Sequence, residues 1–537
     1  MSRPRIILST LNAKYIHASL GLRYLLANMA RHGSEELRAQ TALREFTIAR
    51  APRDIVAALL DELGEAEGVQ IVGFGVYIWN VTQTTEVVRL LKIARPAIKV
   101  VLGGPEVSYE YQEQEIVRLA DHLITGWGDV SFPKLCHALL HGPQPLMKII
   151  VGEQPALDEV VMPYAEYSDD DLAHRLLYVE ASRGCPFKCE FCLSSLDKTA
   201  WAFSLDAFLA ELDQLYTRGA RNFKFVDRTF NLKIDASIRI LQFFLERLSP
   251  DLFVHFEVIP DHLPDRLKDV IAQFPPGVLQ FEIGIQSFNP EVQQTISRRQ
   301  DNAKTEANLR WLMTASHAHL HTDLIFGLPG ETLASFAEGF DRLHAIGPHE
   351  IQLGILKRLR GTPIVRHSIT FDMAYDAQPP YIVQQTSSVD APTMQRFKRL
   401  ARYWDLVANS GRFTRAMVLL MQGPSAFEAF MHFSDWLWHT TEKTSGLTPE
   451  MLLDAVFDYL TGPRGQPIDI VRETLLADYL ASGARANPEC LQGLLGQRPA
   501  PVSRAASKLQ QRQTQHADNR AVGPAGPHQD LVAEAER

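Results

Sequence analysis

Over roughly the first 145 residues, short Val/Ile-rich apolar runs alternate with longer stretches of helical spacing. Residues 5–11 open with an apolar run, and residues 19–32 follow with a helical pattern. A second strand is predicted around 39–48, then an amphipathic helix over 55–63 and a strongly apolar strand over 69–77. Residues 82–94 are helix-like, 98–102 and 122–125 strand-like, and a helix is predicted near 132–140. Apolar strands alternating with helices predict an α/β doubly wound, Rossmann-like parallel sheet over 1–145. Ligands of such sheets sit at the carboxyl ends of the strands.

The pattern breaks at 146–172. Val161-Met-Pro-Tyr164 and the acidic run Ser168-Asp-Asp-Asp171 read as a linker with a solvated surface. It then resumes. Strands are predicted over 176–181, 222–226, 252–258, 278–285, 320–325 and 351–356. The helices between them are strongly periodic, with Phe208, Leu209, Leu212 and Leu215 on one face and Ile238, Ile240, Leu241, Phe244 and Leu245 on another. Strand–helix repeats of this kind over 173–370 predict an open, partial (β/α)6 barrel whose chemistry belongs at the strand C-termini. Residues 371–497 read as a mostly helical domain rich in aromatics, among them Trp404, Phe427, Phe430, Phe433 and Trp436, at spacings that favour helix packing. The segment 498–537 is Ala/Gln/Arg/Gly-rich, lacks aromatics and is expected to be disordered.

Composition narrows the class. The 537-residue chain has a formal net charge of −9, which argues against a nucleic-acid-binding protein. Neither a signal-like apolar core nor an apolar run long enough to span a bilayer is visible, so the expected location is a reducing cytoplasm, away from membranes. Five cysteines, three of them clustered, are no disulfide framework. Cys136 and Cys490 are isolated and read as buried apolar residues.

The chemistry gathers at Glu180-Ala-Ser-Arg-Gly-Cys185-Pro-Phe-Lys-Cys189-Glu-Phe-Cys192, which follows the first strand of the second repeat. Close thiolates select soft metals: zinc or an iron–sulfur cluster. A structural zinc site closes with four ligands, and no fourth Cys or His stands nearby in sequence. A zinc knot and three reactive surface thiols are the alternatives. The C-x3-C-x2-C spacing, with Phe191 before the last Cys, resembles the signature of the radical S-adenosylmethionine (radical SAM) family. That resemblance implies that Cys185, Cys189 and Cys192 hold three irons of a [4Fe-4S] cluster, with S-adenosylmethionine on the fourth.

Other strand ends extend the resemblance. Phe225-Val-Asp227-Arg-Thr closes the second strand; Asp227 is suited to an ammonium or ribose hydroxyl, or else to a helix cap or a pair with Arg228. Glu282-Ile-Gly284-Ile-Gln286-Ser287 closes the fourth, with Glu282, Gly284 and Gln286 on one face. By resemblance, Phe191, Asp227, Glu282 and Gln286 are candidate contacts to S-adenosylmethionine; a structural carboxylate is an equal reading of Glu282. Gly327-Leu-Pro-Gly330-Glu331-Thr332 resembles a family turn, and Gly361-Thr-Pro363 a family loop that closes the barrel. Arg358 and Arg360 beside that loop are candidate partners of an acidic substrate group.

In the first domain, Gly103-Gly104-Pro105 and Gly126-Trp-Gly128-Asp129 follow successive strands, where glycine lets a backbone approach a ligand. Alone they could be tight turns. In order and context they resemble the cobalamin-binding domain found before the barrel in one large radical SAM class, with Asp129 where many members carry Glu. The resemblance assigns Ser9, Asn12, Gly103, Gly104, Thr125, Gly126 and Gly128 to cobalamin. The Asp-x-His-x-x-Gly motif that donates a histidine to cobalt is missing, so His17 is read as a helix-start or pocket residue. The implied cofactors are a [4Fe-4S] cluster, S-adenosylmethionine and cobalamin, with flavodoxin or ferredoxin as reductant. The implied activity is methylation of an unactivated carbon of an unknown small molecule through a 5′-deoxyadenosyl radical. A cobalamin-associated rearrangement or cyclisation, and a non-catalytic iron–sulfur redox module, are the alternatives. Substrate recognition is expected from the helical C-terminal domain.

Overall fold

The computed structural model describes residues 3–65, 68–485 and 487–495; the expected disordered tail at 498–537 lies outside the described residues. Strands β1 (Ile6–Asn12), β2 (Thr41–Thr47), β3 (Ile71–Gly75), β4 (Lys99–Gly103), β5 (His122–Thr125) and β6 (Ile149–Val151) form one sheet in the order β2-β1-β3-β4-β5-β6. Every pairing in it is parallel. All seven residues of β1 are buried, as a strand covered on both faces requires. Ile6 and Leu8 point to a core with Leu22, Leu26, Phe132 and Leu135. Ile7 and Leu11 point to the opposite core, with Ile55, Leu59, Val87 and Leu91. The sixth strand lies in the stretch expected to be linker, so the sheet runs past residue 145.

The rest of that stretch is also structured. Tyr164 and Tyr167 are buried, and Ser168 and Asp171 form a capping box on the helix Asp169–His174. Asp169 stays exposed as expected of a solvated run, whereas Asp171 is buried against Arg23 at 2.8 Å.

The second sheet comprises β7 (Leu177–Val179), β10 (Asn222–Phe225), β11 (Phe253–Glu257), β12 (Leu279–Gln286), β13 (His319–Phe326) and β14 (Glu350–Ile355), all parallel in chain order. A short hairpin of β8 (Ser182–Arg183) and β9 (Trp201–Ala202) frames the cysteine loop. The six-stranded curve does not close on itself, so β7 and β14 each keep an edge.

Both edges are covered. Beside β7, the Tyr164 hydroxyl donates to the Glu180 carbonyl at 3.1 Å and accepts from the Glu180 N–H at 3.0 Å. The Tyr167 hydroxyl donates to the Tyr178 carbonyl at 2.7 Å, and the Leu176 N–H reaches the Ile16 carbonyl of the first domain. Beside β14, Asn409 Oδ1 accepts from the Ile351 N–H at 3.1 Å; Asn409 Nδ2 and Trp404 Nε1 donate to the Ile351 carbonyl at 3.0 and 2.8 Å.

Asn409 follows the helix Ala391–Val407, which packs on the end of β13 through Phe397 against Phe326, and on the last barrel helix through Phe397 against Phe336 and Trp404 against Phe340. Phe427, Phe430 and Phe433 of the next long helix join the same core. The C-terminal aromatics are therefore packing residues, as their spacing predicts, and one contiguous core runs from the barrel into these helices. Among the described residues, no helix is long and apolar enough to cross a membrane.

Asn409→Leu should strand the buried Ile351 N–H and lower stability by about 1–3 kcal/mol. Chemical denaturation of the full chain checks this, and an unchanged midpoint would show that the strand edge has another partner.

Candidate functional site

Two cavities meet where the first sheet faces the barrel mouth. The larger, about 430 Å³, is lined on one side by the β3, β4 and β5 ends and the helix Leu20–His32. On the other side are barrel loops at Glu180, Arg183, Asp197 and Arg228. Gly103, Gly104, Gly126 and Gly128 line it; Ser9, Asn12 and Thr125 do not. Ser9 is fully buried within β1, and Asn12 Nδ2 is spent on the His17 carbonyl and on Glu45. Thr125 presents its carbonyl to the Gly152 N–H at 2.7 Å. His17 is not among the lining residues; its Nδ1 lies 2.7 Å from the Tyr178 hydroxyl, a contact between the two domains.

Gly104 shows why the rim must be glycine. Its φ is +110°, and a Cβ there would lie 2.5 Å from the Val76 carbonyl oxygen. Arg183 closes the opposite wall. It donates to both Asp129 oxygens at 3.0 and 3.2 Å and to Glu180 at 2.6 Å. Tyr24 and Trp127 flank its guanidinium at 4.1 and 4.9 Å. Asp129 thus holds a barrel residue, and burial, which alone would lower the Arg183 pKa, is outweighed by Glu180 and Asp129.

The smaller cavity, about 250 Å³, is lined by Cys185, Cys189, Cys192, Phe191, Glu282 and Gln286, together with Arg298 and Asp323. All three cysteines are free thiols. Burial pushes Cys185 up to about 11; it raises Cys189 too, against the Arg298 guanidinium 3.7 Å from its sulfur. Among the described residues no three Cys, His, Asp or Glu side chains converge as one metal ion requires. A cluster puts each thiolate on a different iron.

The loop is held from below. Ser195 Oγ donates to the carbonyls of Cys189 and Cys192, at 2.9 and 2.7 Å. Glu190, between these cysteines, is 2 % exposed and contacts Ser297, Arg366 and His367.

The floor is charged. Burial alone would raise Glu282, but His255 and Lys224, each 3.1 Å away, hold it well below the usual carboxylate range. Burial, with Glu282 and Glu257 nearby, pushes Asp323 well above that range. Gln286 has φ +69°, and its amide folds over Gly284, where a Cβ would lie 2.2 Å from Nε2. Its buried Oε1 has no hydrogen-bond partner among the described residues, an acceptor that a ligand donor would satisfy.

Asp227 departs from expectation: it lies outside this cavity and accepts from the Ala181 N–H at 2.9 Å and Ser182 Oγ at 2.6 Å. It fixes the start of the cysteine loop, with burial raising it to about 7. Arg358 and Arg360 are likewise committed, to Glu110 and Glu106 of the first domain at 2.9 Å each. Among the described residues none beyond Asp323 lines either cavity, and the aromatic C-terminal helices do not reach them.

Arg228 lines both cavities. Half of its side chain is exposed, onto these cavities, and it pairs with Glu257 at 2.7 Å. Sequence reasoning treated it only as a partner for Asp227. Arg183 and Glu190 sit within the cysteine stretch and were legible by position, though their partners were not.

Comparison with known families places these features. The B12 binding domain family matches residues 7–136, the Radical SAM superfamily 179–343, and a protein family of unknown function (DUF4080) 370–519. The chain belongs to the B12-binding radical SAM proteins. Its domains bring cobalamin, a [4Fe-4S] cluster and S-adenosylmethionine as cofactors.

This radical SAM protein is 27% identical to an uncharacterized methyltransferase of Pyrococcus horikoshii over 52% of the chain and 66% of that relative. It is 24% identical to the cobalamin-dependent radical SAM methyltransferase TokK of Streptomyces tokunonensis, over 62% of the chain and 53% of TokK. It thus spans less than two thirds of either relative. The structure of the cobalamin-dependent S-adenosylmethionine radical enzyme OxsB with aqua-cobalamin bound superposes with a TM-score of 0.60 at 14% identity, covering 96% of this chain and 84% of OxsB; the fold is shared.

Replacing Cys185, Cys189 and Cys192 together with Ala should leave a reconstituted protein without cluster iron and sulfide; wild-type stoichiometry would remove the assignment. Gly104→Leu should weaken cobalamin retention in gel filtration while the cluster absorbance persists, because the added Cβ strikes backbone.

Proposed function

We propose that this B12-binding radical SAM protein is a cobalamin-dependent methyltransferase acting on a small molecule at an unactivated carbon. The observation that carries the reading is the adjacency of the two cavities. The cysteine-lined and glycine-rimmed cavities share Arg228 as a wall. The naming of both curated relatives as methyltransferases supports it.

When bound, the cluster and S-adenosylmethionine supply hydrogen-atom abstraction, and cobalamin supplies a transferable methyl group. The chain's residues do the rest. Cys185, Cys189 and Cys192 would hold the cluster, and Ser195 keeps two of their carbonyls in place. The unpartnered Oε1 of Gln286 would accept from an S-adenosylmethionine donor, and ionised Glu282 makes the cavity floor attractive to its ammonium group. The glycine turns after β4 and β5 would admit the cobalamin tail, and Arg183, locked by Asp129 and Glu180, would keep the cavity wall rigid. Arg228 and Glu257 stand where a substrate must meet both cofactors, so a polar substrate group would be oriented there. A single-electron donor such as flavodoxin or ferredoxin in a reducing cytoplasm would complete the system.

Anaerobic reconstitution with cobalamin, S-adenosylmethionine, a reductant and a small-molecule extract tests the reading. Comparable amounts of S-adenosylhomocysteine and 5′-deoxyadenosine are expected. Deoxyadenosine without S-adenosylhomocysteine would replace methyl transfer by rearrangement or cyclisation, and formation of neither would leave a non-catalytic redox module.

A further inference from the structure

The glycine turn at the cobalamin cavity and the cysteine loop are joined by a line of hydrogen bonds, ion pairs and short stretches of chain. The line starts at Gly104, whose carbonyl accepts from Ser108 Oγ at 2.8 Å, and Ser108 Oγ in turn accepts from the Gly126 N–H at 3.2 Å. In this loop Glu106 accepts from Arg360 Nε at 2.9 Å and from the Tyr381 hydroxyl at 2.6 Å. Glu110 accepts from Arg358 at 2.9 Å and from the Gly361 N–H at 3.2 Å. Tyr109 packs so closely on Gly361 that a Cβ there would lie 2.3 Å from its ring.

The barrel loop that receives these contacts runs directly into the turn Pro363–His367. There the Ile364 N–H donates to the Glu190 carbonyl at 3.0 Å, and His367 Nε2 lies 2.8 Å from Glu190 Oε2 while Arg366 donates to Oε1. Glu190 is the neighbour of Cys189, and its N–H is fixed to the Ile296 carbonyl. Glu106 and Glu190 are both buried, where each bond is electrostatically stronger than in water, while the Glu110–Arg358 pair between them is partly exposed.

We propose that cobalamin occupancy and retention of the cluster are coupled through this line, with Glu190 the positioning residue at its receiving end. The proposal rests on the cofactor assignment above. Filling the glycine-rimmed cavity fixes the β4 loop, which holds the 358–361 loop, which holds Glu190 and so the spacing of Cys189 and Cys192. Coupling of this kind is reciprocal: the assembled cluster tightens cobalamin binding by the same factor. Glu106 and Glu110 line neither cavity, so they serve the coupling without touching either cofactor.

The test is cluster loss under a ferrous-iron chelator, followed by absorbance in the full reconstituted chain with and without hydroxocobalamin. Cobalamin should slow the loss by about fivefold or more, the lower range of typical coupling between sites. The double variant Glu106→Gln with Glu110→Gln should still bind cobalamin and hold a cluster, yet lose the cobalamin dependence. Arg358→Met with Arg360→Met, which removes the same contacts from the barrel side, should behave alike and decides the matter if the first variant misfolds. Bound cobalamin with an unchanged cluster lifetime in the wild-type protein would overturn the coupling alone, as would full dependence in both double variants. A wild-type protein that binds no cobalamin would overturn the cofactor assignment and the coupling with it.

Discussion

An open barrel must do something with its two free strand edges, and much of this molecule is arranged around that need. Buried N–H and C=O groups without partners cost too much to leave. At β7 the partners are tyrosine hydroxyls from the stretch before the barrel and a carbonyl from the first domain. At β14 they are Asn409 and Trp404 from the C-terminal helices. The same bonds that satisfy the edges therefore fix the flanking domains to the barrel. They leave the strand C-termini, where the cysteine loop emerges, free to face the first sheet.

Charge pairs complete what the edges begin. Arg23 reaches Glu45 within the first domain and Asp171 at the barrel entrance, while Arg175 pairs with the same two carboxylates. Arg183 ties Asp129 to Glu180 beside the larger cavity, and Arg358 and Arg360 tie the β4 loop to the far side of the barrel. Several of these groups are deeply buried, where a pair tolerates little movement because separating the charges leaves one uncompensated. Such pairs hold two cavities in register, with Arg228 common to both.

The C-terminal region spends its aromatics on packing, as their spacing predicts. Its aromatics stack and cross one another and the last barrel helix, and their surface is consumed by packing. The polar residues at the meeting of the two cavities all come from the first two domains. Among the described residues, the side chains lining the two cavities are drawn from the barrel and the B12-binding domain, with the C-terminal helices as buttress.

Much of the architecture was legible in the chain itself. Apolar runs alternating with helical spacing are a local signal, and they located the six barrel strands and five of the six in the first sheet. The sixth, Ile149–Val151, is short and half-exposed at a sheet edge, so its burial pattern carried no signal. The cysteine spacing and the strand-end glycines were equally readable, because loop chemistry depends on neighbours in sequence.

What sequence could not show was which distant charge meets which. Asp227, Arg358 and Arg360 have the chemistry of ligand-binding residues, yet each is consumed by a partner brought in by the fold. Arg228 carries no local mark, and its place at the junction follows from strands separated by long stretches of chain; Glu190 lies in the cysteine stretch, but its partner His367 comes from far along the chain. Local periodicity and spacing determined the elements and the metal-binding loop. Only the tertiary structure decided which charges were spent on holding the domains together and which remained facing the cavities, because ion pairing depends on distances that the order of residues does not contain.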